Sequence, residues 1–286
     1  MNANNRGQLI KLIAEENKLS FSSCRELSGG DINEVFLLIS GTEKFVIKLN
    51  QANRFPGMFE AEKLGLEYLA KPGVIDIPKP ITTGRINSMA YLLLEYRETG
   101  SKTRDFWDVF GRQLAELHQV SSGSFGLEQD NYIGSLQQHN RKESKAADFY
   151  INSRLIPQIE MAEEKGFDLQ VSDNFYKNCR DIIPDEVPAL IHGDLWNGNY
   201  LVNSEGNPCL IDPAVAYAPR EMDLGMMKLF GGFDENLFEV YHENFPLQGG
   251  WKERLPIWQL YYLLVHLNIF GAGYRSQVNS IIRQFS

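Results

Sequence analysis

About one third of the way along this chain the spacing of its apolar residues changes from two to 3.6. That single change restricts it to architectures with a sheet near one end and helices toward the other. Residues 34–40 (EVFLLIS) and 44–49 (KFVIKL) are β-rich runs joined by Gly41-Thr42-Glu43, the pattern of a hairpin. A short amphipathic helix precedes them over residues 8–16, through Leu9, Leu12 and Ile13. A second helix follows over 58–70 and stops at Lys71-Pro72-Gly73. Pro78 and Pro80 border an extended segment, and residues 89–95 (MAYLLLE) form a buried strand by length and content. Beyond Arg97 the spacing predicts helices over 105–120, 144–165 and 172–182, with a Ser/Gly/Asn/Gln-rich connection over 121–143. Short strands are expected at 189–191, 200–202 and 209–211, and helix from about 221 onward. The polar break at 96–104 is the natural lobe boundary. The expectation is an α+β, bilobal chain, with a small β-rich N-lobe over 1–96 and a larger, mainly helical C-lobe over 97–286.

Composition narrows the partners. The 286 residues carry 28 Lys and Arg against 37 Asp and Glu, a formal net charge of −9. A 43% apolar content supports a large core. The acidic balance argues against a nucleic-acid backbone as partner. Three cysteines, Cys24, Cys179 and Cys209, lie far apart with no C-x-x-C pair, so neither a zinc ribbon nor a disulfide framework is expected. The polar N-terminus lacks a signal-peptide core. The apolar stretch 255–270 is broken by Gln259, His266 and Asn268 and is too short to span a bilayer. No membrane partner and a cytoplasmic setting are therefore expected.

The chemistry concentrates in Ile191-His192-Gly193-Asp194-Leu195-Trp196-Asn197-Gly198-Asn199, followed by a strand-turn-strand and Leu210-Ile211-Asp212. Transfer of a phosphoryl group to a hydroxyl needs one carboxylate to orient the alcohol and take its proton. It also needs an amide oxygen and a second carboxylate to hold magnesium across the phosphates. Asp194, Asn199 and Asp212 fit those parts in that order, because magnesium prefers hard oxygen ligands and few of them from protein. Any one of these residues alone would be a turn-capping side chain; the combination is what points to chemistry.

The first third offers an independent check. A phosphotransferase of this plan carries a Gly-containing turn, then a lysine on the third strand, then a glutamate on the next helix. Here Ser28-Gly29-Gly30-Asp31 precedes the first long strand, Lys48 lies in FVIKL, and Glu60, Glu62 and Glu67 follow on the helix. Gly29 and Gly30 are placed to lie over ATP phosphates through backbone N–H groups. A lysine within an apolar strand needs a partner, since an unpaired buried charge is costly. Glu62 is the preferred partner, with Glu60 the alternative.

Taken together, SGGDIN (28–33), FVIKLN (45–50), MFEAEKLGLEYL (58–69), DNYIGS (130–135), HGDLWNGN (192–199) and LIDPAVAYAPREMDLGMMKLFGGF (210–233) make the chain resemble the fructosamine kinases, or ketosamine-3-kinases, within the aminoglycoside-phosphotransferase-like kinases. The resemblance implies a protein-kinase-like fold, ATP and Mg2+ as cofactors, and a small-molecule ketosamine or a glycated amine or protein adduct as substrate. The implied reaction phosphorylates the sugar 3-hydroxyl in the service of deglycation. It also implies that backbone groups of Glu95 and Arg97, in the hinge, meet the adenine edge. Trp196 would stack on a sugar or else be a core or lobe-packing aromatic, and Asn131, Tyr132 and Arg154 become substrate candidates.

Two positions depart from the family pattern. Asp31 stands where some relatives carry cysteine, which removes any thiol switch there. Tyr217-Ala218-Pro219-Arg220 replaces an expected Tyr-Gly-His-Arg. Arg220 and Asp223 would either organise the catalytic loop or form a surface ion pair. Only eight residues separate Asp212 from Glu221, too few for a peptide-displaying activation segment, and Gly193 stands where protein kinases place a phosphate-reading arginine. A small acceptor is therefore expected. An aminoglycoside, choline-like or homoserine kinase is the same-fold alternative, and a silent nucleotide-binding pseudokinase the different-class one. The sequence leaves the preferred ketosugar and the oligomeric state open.

Overall fold

The computed structural model describes residues 3–27 and 32–286. Helix α1 (Ala3–Glu16) is followed by β1 (Ser23–Glu26), β2 (Glu34–Ser40), β3 (Glu43–Gln51), α2 (Met58–Ala70), β4 (Pro80–Ile86) and β5 (Met89–Glu95). The five strands form one antiparallel sheet in the order β1-β2-β3-β5-β4. Period-two alternation sorts its two faces. Phe45, Ile47 and Leu49 of β3 join Leu9, Ile10 and Ile13 of α1 and Tyr91 and Leu93 of β5 in one apolar cluster. Val46 and Lys48 point the other way, paired with Leu94 and Leu92, whose side chains pack with Phe59, Leu66 and Leu69 of α2. Lys48 thus sits at the centre of the sheet on the face that α2 covers.

The remainder is largely helical. Helix α3 (Phe106–His118) leads to a hairpin of β6 (Asn131–Ile133) and β7 (Leu136–Gln138). Then α4 (Ala146–Tyr150) runs through a π-helical turn at Ile151–Leu155 into α5 (Ile156–Glu164), followed by α6 (Asp173–Ile182). Four short strands, β8 (Ala189–Ile191), β9 (Tyr200–Val202), β10 (Pro208–Leu210) and β11 (Ala216–Ala218), carry the loops of interest. They precede α7 (Glu221–Phe230), α8 (Glu235–Asn244), α9 (Trp251–Phe270) and α10 (Arg275–Gln284). The fold class is the one expected, a β-rich N-terminal part and a mainly helical C-terminal part. β1, the β6–β7 hairpin and β11 were not expected from the sequence; the polar connection assigned to 121–143 contains the hairpin.

Two clusters hold the C-terminal part together. One gathers Phe149, Tyr150, Phe175, Trp258, Tyr261 and Tyr262. The other runs from Phe59 and Leu66 of α2 through Phe110 and Leu114 of α3 to Leu195, Leu210, Leu224 and Tyr241, so the cleft loops rest on apolar contacts shared with the sheet side. Among the described residues, no helix is long and apolar enough to cross a membrane.

Candidate active site

Lys48 is 5% exposed, and its Nζ donates to Glu62 Oε1 at 2.5 Å and to Asp212 Oδ1 at 2.5 Å. Burial alone would strip its proton, but the Asp212 and Glu62 carboxylates outweigh burial and hold the ammonium above its ordinary range. Burial, reinforced by Asp212, pushes Glu62 up despite the pull of Lys48. Of the two glutamates considered for this pairing, Glu60 is exposed on the far side of α2. Gly29, Gly30 and Asp31 lie outside the described residues.

The loop from His192 to Asn199 is shaped from below. Asp223, at the start of α7 and fully buried, accepts from the His192 N–H at 2.8 Å, the Gly193 N–H at 2.8 Å and His118 Nε2 at 3.2 Å. Burial works against its charge, but the hydrogen bond from His118 and the neighbouring donors lower its pKa overall. The His192 ring donates from Nε2 to the Ile211 carbonyl at 2.9 Å, since a carbonyl can only accept; Nδ1 is then the acceptor facing the Asp194 N–H at 3.3 Å. Burial lowers its pKa, so it stays neutral. One imidazole therefore ties the strand before Asp212 to the loop carrying Asp194. Gly193 has φ +83°, and a Cβ there would lie 2.0 Å from the Ala214 carbonyl oxygen, so no side chain fits.

Asp194 lies half-buried at the end of this loop. Burial raises its carboxyl to about 7, with the Asp212 charge adding to the rise and Asn199 opposing it. Asn199 donates its amide nitrogen to the Asp194 carbonyl at 2.8 Å and carboxylate at 3.1 Å, leaving its oxygen for another partner. Asp212 itself holds φ +55°, uncommon for a residue with a Cβ.

Lys48, Glu62, Asp194, Asn199 and Asp212 all line one cavity of about 640 Å³, within the range of ligand pockets. Here one ammonium faces three carboxylates, and the excess negative charge suits a divalent cation. Among the described residues no group of three or more His, Cys, Asp or Glu forms a closed metal cage. An open donor pair, Asn199 and Asp212, is what magnesium takes when phosphates and water complete its shell.

The other anticipated residues divide. Trp196 lines the cavity and is 39% exposed, so it is not a core residue. Asn131 lines the wall, but its amide is engaged inward: Nδ2 donates to the Val215 carbonyl, and Oδ1 accepts from Gln138 and Asn140. Tyr132 lines the cavity too, with its hydroxyl donating to the Pro56 carbonyl at 2.9 Å across to the sheet side. Arg154 is not brought to the cavity. It is 1% exposed, donates to Asn140 Oδ1 at 2.8 Å and lies over Phe149. Burial lowers its pKa.

In the hinge, the Glu95 N–H already donates to the Lys79 carbonyl at 2.9 Å. The Arg97 guanidinium binds Asp76 at 3.0 Å and Glu95 at 2.6 Å, and neither residue lines the cavity. Arg220 forms no surface ion pair: it is buried against Glu186 and the Phe245 and Pro246 carbonyls. Asp223, not Arg220, organises the loop.

Sequence reasoning used His266 only as a polar break. It lines the cavity, donates from Nδ1 to the Tyr262 carbonyl at 2.7 Å, and is kept neutral by burial, so its Nε2 is a bare acceptor. A histidine within an apolar helical run was the available signal.

Comparison with known proteins gives the family. The chain is 38% identical over 263 residues to a "probable ketoamine kinase" of Synechocystis, covering 91% of this chain and 89% of that one. It is 33% identical over 282 residues to the chloroplastic protein-ribulosamine 3-kinase of Arabidopsis thaliana, covering 96% and 86%. The crystal structure of a provisionally named fructosamine-3-kinase from Haemophilus somnus superposes with a TM-score of 0.87 at 27% identity, covering 96% and 95%. The family model for fructosamine kinase matches residues 6–286, and the chain belongs to that family of kinase enzymes.

Proposed function

We propose that this chain is a magnesium- and ATP-dependent kinase that phosphorylates the 3-hydroxyl of a ketosamine, a protein-deglycation activity. One observation carries the reading: a buried lysine, bound to Glu62 and Asp212, opens onto the same cavity as Asp194. Lys48, fixed by Glu62, holds the nucleotide's phosphates. Asn199 and Asp212 are the side chains that would hold magnesium, which supplies neutralisation of charge on the transferring phosphoryl group. Asp194 orients the acceptor hydroxyl and takes its proton. A carboxyl raised to about 7 without ligands is a better base than an exposed one, since its proton affinity lies near the working pH. Trp196 offers its ring face to the sugar. A ketosamine is favoured over other alcohols by family membership and by the ribulosamine named in the plant relative.

The test is ATP consumption with magnesium against ribulose-lysine, fructose-lysine, an aminoglycoside, choline and homoserine. Turnover stimulated by a ketosamine is the expected result. Turnover with only another alcohol overturns the substrate, and nucleotide binding without turnover on any of them overturns the enzyme.

A further inference from the structure

Four rings to which the sequence assigned no role, those of Phe230, His266, Phe270 and Tyr274, line the cavity together and form an aromatic mouth. The His266 ring lies 4.9 Å from Phe230, 5.5 Å from Phe270 and 5.1 Å from Tyr274, centroid to centroid. Phe230 is 39% and Phe270 56% exposed. Large apolar side chains left in water at the rim of a cavity mark a binding surface.

Two helix ends carry the rings of this mouth. Phe230 is the last residue of α7 and Phe270 the last of α9, each followed by a glycine of positive φ, Gly231 at +68° and Gly271 at +89°. Two helices therefore end at the rim; the Met227 and Leu267 carbonyls accept from the Gly231 and Gly271 N–H groups, Lys228 lies in the last turn of α7, and Lys165 Nζ donates to the Asn268 carbonyl of α9 at 2.5 Å. The single Lys or Arg among the described lining residues is Lys48, already bound by two carboxylates. Aromatic faces, and the carboxylates of Glu62, Asp194 and Asp212 on the same cavity, favour a cation with an apolar substituent over an anion. The mouth is also fixed to the reacting centre: a Cβ at Gly232 would lie 2.7 Å from the Asn197 Cβ, so the turn after α7 rests directly on the loop that carries Asp194 and Trp196.

We infer that Phe230, Phe270 and Tyr274 form a subsite for the carrier amine of the substrate, taking the protonated secondary ammonium and the alkyl chain it bears, as on a lysine side chain. This rests on the ketosamine reading and adds to it a reason for the enzyme to prefer sugars carried on alkylamines.

The experiment compares kcat/KM for one ketose in three forms: on the ε-amine of Nα-blocked lysine, as the primary 1-amino-1-deoxyketose, and with the same chain joined through an ether oxygen. The wild-type protein is expected to prefer the lysine-borne form over both others by about tenfold, the scale of one or two aromatic–cation contacts. In Phe230→Ala/Phe270→Ala that preference falls to within about twofold. A preference that survives the double variant, or is absent in the wild type, overturns the subsite. Failure of all three ketoses as substrates overturns the ketosamine reading itself. ATP-induced thermal stabilisation reports whether the double variant is folded; should it not fold, Phe270→Leu, at the more exposed ring, reads the same ratio, and an unchanged ratio there again overturns the subsite.

Discussion

Asp194 and Asp223 flank the backbone of residues 192–193, one on the cavity side and one on the core side, and their surroundings differ in kind. Asp223 is fully buried and accepts from three donors, two backbone N–H groups and His118. Asp194 has one amide donor, Asn199, and shares its pocket with the Asp212 charge. The consequence is opposite in sign: Asp223 is lowered and Asp194 raised to about 7. A carboxylate that shapes a loop is saturated with donors; one that is to exchange a proton is left undersupplied. The same contrast recurs nearby. Glu221 is saturated by both arms of Arg254 and by Trp258, whereas Glu62 and Asp212 share a single lysine.

The largest expected effect breaks the cavity side of this comparison. Asp194→Asn removes the proposed proton acceptor while keeping its shape, and turnover should fall about 10²–10⁴-fold. ATP-induced thermal stabilisation should persist, because the nucleotide partners proposed above are other residues. Turnover near wild type would remove Asp194 from the role of base. On the core side, Asp223→Ala leaves two backbone N–H groups and His118 without their acceptor in a fully buried place. A loss of about 3 kcal/mol or more is expected in denaturant unfolding. A loss below about 1 kcal/mol would mean that the loop is held by other contacts.

The two aspartates should also respond to pH in opposite directions. Asp194, raised above the 3.8 of an unfolded chain, keeps a proton that the unfolded chain has released. It therefore makes the ligand-free protein less stable as pH rises from about 4 through about 7. Asp223, lowered below 3.8, contributes stability that is present above that value and is lost as pH falls through its folded pKa. Without ligands, Asp194→Asn should melt above wild type at pH 8, with the gap closing toward pH 4. Equal melting temperatures at both pH values would contradict the raised carboxyl.

How far the sequence revealed this depends on the range of the contacts involved. Lys48 was legible because period-two alternation fixes which face of β3 it occupies, and Glu62 because α2 follows directly. Asp194, Asn199 and Asp212 were legible because one loop and one hairpin bring them together. Asp223 was visible only as an alternative with Arg220, because its partners, His118 and the 192–193 backbone, lie 105 and about 30 residues away. The β6–β7 hairpin was hidden because its strands are three residues each and largely polar. Their register is set by the Asn131–Gln138–Asn140 network and by Ala214 and Val215, not by an apolar stripe. Arg154 was misplaced for the same reason: its guanidinium completes that network from below, a role no local pattern announces. The aromatic mouth assembles from positions 230, 266, 270 and 274, two of them in one apolar stretch that reads simply as core.

Tyr132 carries the smallest expected effect and tests whether the hairpin is wall or ligand. Its hydroxyl reaches the Pro56 carbonyl, and its ring meets Phe55 edge-on at 6.5 Å, so the residue joins the hairpin to the segment preceding α2. Tyr132→Phe keeps the ring contact and removes one neutral hydrogen bond, for a stability loss of about 0.5–1.5 kcal/mol. If the hydroxyl only spans the cavity, KM for the acceptor should stay within about twofold of wild type, because the sugar loses no partner of its own. If it binds the sugar instead, the acceptor KM should rise about tenfold with little change in stability, since a polar group built to pair with a substrate hydroxyl leaves that hydroxyl unmatched when removed. Steady-state kinetics and an unfolding curve on the same variant separate the two, and the geometry sides with the first.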